Sequence, residues 1–124
     1  MRKVGWFDIY VDDMERAQAF YETVLGTSLT TMDDPNDPTA QMRAFEDDYA
    51  SHGAGGALVK LEYASPGPGG AMVYFTCEDC SVEESRVEAA GGQVVRSKFR
   101  IGEHGFVSLF TDTEGNTVGL HSSR

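Results

Sequence analysis

The chain has 124 residues, 40% of them apolar and 24% charged, and a formal net charge of −10. That size and composition fit one globular domain able to fold without a disulfide or a structural metal. The acidic balance repels phosphate backbones and anionic bilayers, so no nucleic acid and no membrane is expected as a partner; its plainer consequence is solubility.

Residues 3–11, KVGWFDIYV, are dense in β-branched and aromatic side chains and predict a strand. Asp12 and Asp13 follow as helix N-cap candidates. Met14, Ala17, Phe20, Tyr21, Val24 and Leu25 then recur with the period of one apolar helix face. Gly26 offers a left-handed C-cap. Strands are predicted near 28–32, 41–46 and 57–63, separated by the turn-forming run DDPNDPT and a polar loop ending at Gly56. SPGPGG at 65–70 continues neither helix nor strand and reads as a linker.

The order then recurs. A strand is predicted at 71–77. Ser81 and Glu84 have the spacing of a capping box, opening a helix to about Ala90 that Gly91 and Gly92 stop. Strands follow at 93–100, 105–111 and 116–121, joined by the turns IGEH and DTEG. Each half thus reads strand, helix, strand, strand, strand. The fold class is α+β, with two βαβββ modules at about 1–64 and 71–124. A plain α+β arrangement without internal duplication uses the same elements.

Cys77 and Cys80 form a CxxC. No second pair exists to complete a zinc site, and two reduced, inert thiols are the simpler reading beside a redox pair. No run approaches the ~18 apolar residues of a membrane helix. The N-terminus has no signal-peptide core, and a cytoplasmic location is expected. No nucleophile elbow, phosphate-binding loop or dinucleotide fingerprint is present in a strand–helix context.

The segments FDIYVDDMERAQAFYETVLG at 7–26 and VEAAGGQVVRSKFRIGEHGFVSLFTDTEGNTVGLH at 87–121 resemble the vicinal oxygen chelate superfamily, which includes glyoxalases, bleomycin-resistance proteins and extradiol dioxygenases. The resemblance implies two curved mixed sheets around a cavity, a homodimer and a small-molecule ligand. It does not choose among isomerase, lyase, dioxygenase and simple binding. In metal-dependent relatives four side chains, typically His, Glu, His and Glu, converge on the ion. Matched onto this chain, those positions fall on Trp6, Lys60, Met72 and Gly119. An indole, a thioether and a bare backbone are poor ligands for a hard or borderline dication. An ammonium about 4 Å from a dication costs on the order of 8 kcal/mol at an effective dielectric of 20. No metal and no other cofactor is therefore expected at the usual positions.

Two residues from those positions lie Asp8, Glu62, Tyr74 and His121, which strand alternation would place on the same faces. They support two readings. In one, Trp6, Asp8, Tyr10, Lys60, Glu62, Met72 and Tyr74 line a metal-free pocket, with Lys60 paired to Asp8 or Glu62. That pocket either holds a ligand or performs acid–base chemistry through Lys60, Tyr74 and His121. In the alternative, Asp8, Glu62 and His121 hold a relocated divalent metal, as in a lyase, isomerase or dioxygenase. A third reading is a partner protein that kept the fold and lost the site. Phe45 and Phe75 are expected in the core, and His52 and His104 in loops.

Overall fold

The computed structural model describes residues 3–25, 27–46, 53–67 and 69–124. Gly26, His52 and Pro68 of the linker lie outside the described residues. The elements are β1 (Val4–Tyr10), α1 (Met14–Leu25), β2 (Leu29–Met32), β3 (Gln41–Phe45), β4 (Gly55–Lys60), β5 (Ala71–Thr76), α2 (Cys80–Glu84), β6 (Gln93–Arg100), a 3₁₀ turn (Gly102–His104), β7 (Phe106–Thr111) and β8 (Thr117–Ser122). Hydrogen bonding orders the strands β2-β3-β4-β1-β5-β8-β7-β6. β5 and β8 run parallel and β2–β3, β3–β4, β6–β7 and β7–β8 antiparallel, so this is the mixed α+β arrangement that the recurrence predicts. Two units are distinguished: Phe7–Ala71, and Met72–Arg124 together with the residues through Trp6. β1 contributes to both.

In the Phe7–Ala71 unit, α1 packs on the sheet through Val11, Met14, Leu29 and Leu58, with Ile9, Ala17, Tyr21 and Phe45 around them. Asp13 starts the helix, its carboxylate accepting the Arg16 amide at 3.0 Å. Glu22 fixes the exit, accepting the Leu29 amide at 2.9 Å as the chain enters β2. Phe45 meets Phe7 and Tyr21, both with ring centroids 5.7 Å away. Phe7 lies over Gly56, where its ring takes the space of a Cβ. The apolar face expected of α1 is only half used. Met14, Ala17 and Tyr21 turn inward, but Phe20, Val24 and Leu25 are 58%, 61% and 58% exposed. A helix lying on one sheet buries a narrower stripe than six apolar residues cover.

In the other unit, α2 departs from expectation. It spans only Cys80–Glu84, and its N-cap is Asp79, which accepts the Ser81 amide at 3.0 Å and the Ser81 hydroxyl at 2.7 Å. The Ser81–Glu84 capping box does not form, because Glu84 is engaged elsewhere. Its Oε1 accepts the Lys98 amide at 2.6 Å and the Ser108 hydroxyl at 2.8 Å, tying α2 to β6 and β7. Beyond Glu84 the bonds tighten to a three-residue span, Arg86 to Glu83 and Val87 to Glu84, both 3.1 Å. Lys98 pairs with Asp79 at 2.9 Å and sits 4.7 Å from the centroid of the Phe106 ring. The Ser81 hydroxyl and then Lys98 hold the Asp79 carboxyl well below the usual range. Cys77 and Cys80 are free thiols buried with Leu120 against Phe75, Phe106 and Phe110. Among the described residues no helix is long and apolar enough to cross a membrane.

Glu84 is the clasp of this unit. Glu84→Ala strips the nearer of two acceptors from Ser108, which is 0% exposed and keeps only the Arg96 carbonyl at 3.4 Å, and takes the acceptor of the Lys98 amide; it should cost about 1–3 kcal/mol of stability in equilibrium urea unfolding. An unchanged midpoint would refute the clasp.

Candidate active cleft

β1 decides where the candidate residues go. Ile9 and Val11 pack in the α1 core, so the pleat turns the alternate residues Asp8 and Tyr10 to the opposite face. Asp8 is 6% exposed and Tyr10 half-buried. Burial, then the neighbouring Asp8 charge, then Tyr63, push the Tyr10 phenol from 10.0 up to about 12. At neutral pH Tyr10 is therefore a hydroxyl donor beside a carboxylate.

Two expectations for β4 are corrected. Lys60 is two residues from Leu58, and Leu58 belongs to the α1 core. The pleat thus puts Lys60 on the helix side of the sheet, opposite Asp8, and the Lys60–Asp8 pair does not form. Lys60 is exposed and has no ion pair among the described residues. β4 also ends at Lys60, three residues early. Glu62 sits in a tight turn closed by a bridge between Leu61 and Ala64, so strand alternation does not carry it to the face of Lys60. The same turn carries Tyr63, 80% exposed, a neighbour of Tyr10 that the sequence reading did not single out.

A cleft of about 740 Å³ opens at the end of β1 in this unit. Tyr10 contributes to its wall with Asp12, Arg16 and Tyr21, and the linker glycines Gly67 and Gly69 form its rim. Both glycines have positive φ, 110° and 80°. The Gly70 carbonyl accepts the Tyr10 amide at 2.9 Å, which holds the linker against the strand. Sequence reasoning took the glycines as a spacer only. The signal for the helical wall was present: Asp13, Ala17 and Tyr21 are spaced by four, one helix face.

The other candidates belong to the second unit. Met72 is buried and Trp6 half-buried. Tyr74 pairs in register with Gly119, and its ring covers that glycine so closely that a Cβ there would collide with it. Gly119 thus lacks a side chain for a packing reason. His121 donates through Nε2 to the His104 carbonyl at 2.6 Å, which commits that nitrogen. His104 is exposed in the 3₁₀ turn, and Phe75 packs on the core as expected.

The family's metal does not fit these residues. One position is filled by an aromatic ring over a glycine, one is a buried thioether, one an indole, and Lys60 is a cation on the helix face. Among the described residues no three His, Cys, Asp or Glu side chains gather as ligands.

Residues 3–120 match the model of the Glyoxalase/Bleomycin resistance protein/Dioxygenase superfamily, and the chain belongs to that family. Among solved structures it is similar to the hypothetical protein BH1468 from Bacillus halodurans C-125, at 15% identity and a TM-score of 0.75, covering 99% of this chain and 95% of that one. It is similar to methylmalonyl-CoA epimerase from Mycobacterium tuberculosis at 14% identity and 0.72, covering 98% and 87%. It is also similar to a Streptomyces coelicolor methylmalonyl-CoA epimerase variant in complex with 2-nitronate-propionyl-CoA, at 16% and 0.70, covering 98% and 94%. Identities this low carry the fold alone. No curated protein sequence matches the chain.

The raised Tyr10 value has a consequence for stability. Between about pH 10 and pH 12 the unfolded chain ionises this phenol while the native one keeps its proton, so stability falls as pH rises through that window. Tyrosinate absorbance should show a component titrating near 12 that Tyr10→Phe removes. Its persistence in the variant would refute the assignment. Separately, Gly119→Ala drives a methyl into the Tyr74 ring and should cost about 1–3 kcal/mol, read as a lower urea midpoint.

Proposed function

We propose that this protein is a small-molecule-binding member of its superfamily that works without a metal, with the face of β1 that carries Asp8 and Tyr10 as its ligand site. The observation that carries this is the Asp8–Tyr10 pair: a nearly buried carboxylate next to a phenol pushed up to about 12. A pair of this kind offers a hydroxyl donor and an anionic acceptor to one ligand, with no ion needed to polarise it. Asp8 does not line the 740 Å³ cleft, whose Ala17 and Tyr21 pack on the α1 side of the sheet, so the ligand face lies across the strand from those side chains. A ligand with one carbonyl or hydroxyl group matches that pair.

Proton transfer is the finer form of the same reading. A carboxylate can take a proton from a carbon beside a carbonyl while a phenol donates to the carbonyl oxygen. The epimerases among the structural neighbours, by their name, invert such a centre. That chemistry is proposed here for Asp8 as base and Tyr10 as donor.

The test is a thermal-shift screen of carbonyl and hydroxy compounds, run with EDTA. A ligand at a hundredfold its Kd should add about 2.7 kcal/mol, several degrees for a domain of this size. Tyr10→Phe and Asp8→Asn should each reduce the shift, and solvent-proton exchange into a bound carbonyl compound should vanish in Asp8→Asn. A shift that needs Zn²⁺, Mn²⁺, Fe²⁺ or Ni²⁺, or that survives both substitutions, would overturn the proposal.

A further inference from the structure

The second unit carries its own cleft, about 380 Å³, at the end of β6. Arg100, His104 and Arg124 line it together with Glu103 and Phe106. The chain has only ten basic residues against twenty acidic ones, so two arginines around one small space stand out. We propose that this cleft is a site for a small oxyanion, the carboxylate or phosphate group of a small molecule, separate from the Asp8–Tyr10 face.

The groups are held in place. Arg100 Nε donates to the Gly102 carbonyl at 3.1 Å, which sets the guanidinium against the turn. The turn is closed by the Ile101 amide on the Gly105 carbonyl at 2.9 Å and the His104 amide on the Ile101 carbonyl at 3.1 Å. Gly102 and Gly105 take φ of 62° and 96°, and a Cβ on Gly105 would strike the Ser122 carbonyl. The turn therefore has one conformation and little room for another. From the other side His121 Nε2 grips the His104 carbonyl at 2.6 Å. Ser122 Oγ donates to the Arg124 carbonyl at 2.9 Å and anchors the backbone that carries the second guanidinium.

A guanidinium presents its donors in a plane that matches two oxygens of a carboxylate or phosphate. The Glu103 carboxylate offsets one of the two, so recognition rests on the directed donors of the guanidiniums rather than on net charge. A 380 Å³ space admits such a headgroup and a few carbons beyond it. Phe106 at the wall, whose ring also lies near Lys98, gives those carbons an apolar surface. Because His121 holds the turn, occupancy here is felt on β8, in the strand where Gly119 underlies Tyr74.

The experiment is a titration of backbone amide NMR signals with inorganic phosphate, and separately with acetate, against sodium chloride at equal ionic strength. The expected result is saturable shifts at Gly102, His104 and Gly105, with the His121 ring moving at the same midpoint. Arg100→Gln and Arg124→Gln should each weaken binding about tenfold, and Glu103→Gln should strengthen it. All three side chains are exposed, so the variants fold, and amide dispersion checks this. Phosphate alone saturating identifies a phosphate site, and acetate alone a carboxylate site. Shifts that chloride reproduces, or that the Arg100→Gln and Arg124→Gln variants retain, overturn the proposal. Tyr10→Phe leaves this titration unchanged, so its failure and that of the Asp8–Tyr10 face are separable.

Discussion

The pleat of β1 commits neighbouring side chains to opposite fates. Ile9 and Val11 are needed to seat α1, where Met14 and Leu58 complete the core. Asp8 and Tyr10 have no choice but the other face. Burial there would be expensive for a lone carboxylate, and a phenol that keeps its proton is a neighbour it can tolerate. The same alternation on β4 places Leu58 inward and Lys60 beside it on the helix side, so the cation never reaches the carboxylate. One packing decision thus defines which polar groups share a surface.

The sheet of the second unit obeys a different constraint, close approach. Tyr74 can lie flat on β8 only because residue 119 has no side chain. In metal-dependent relatives the matched position carries a ligand. Here the space is aromatic, and a metal ligand at 119 would require Tyr74 to leave.

Much of the fold was legible because its signals are local. Alternation found the eight strands to within a few residues, β6 without error, and Asp13 as a cap followed from its place before an apolar helical run. What failed depended on partners far away in sequence. The length of α2 was misjudged because Glu84 answers to Lys98 and Ser108, 14 and 24 residues on. The α1 stripe was overestimated because periodicity marks an apolar face but not how much of it a sheet covers. In the candidate site, strand parity singled out Asp8, and Tyr10 was marked only as an aromatic of wall or core. Lys60 was misplaced by motif matching, where an offset of one residue reverses the face. The cleft itself was not legible, being formed by glycines that look like a spacer.

Cys77 and Cys80 are 7% and 0% exposed, one in β5's continuation and one opening α2, where the Cys80 amide is held by Ser122 Oγ at 3.0 Å. Both side chains are buried against Leu120 and the surrounding phenylalanines. A thiol reagent therefore reaches them only when that unit opens. The protein carries its own stopwatch: the rate at which its sulfurs become reactive is the rate at which this half of the chain breathes.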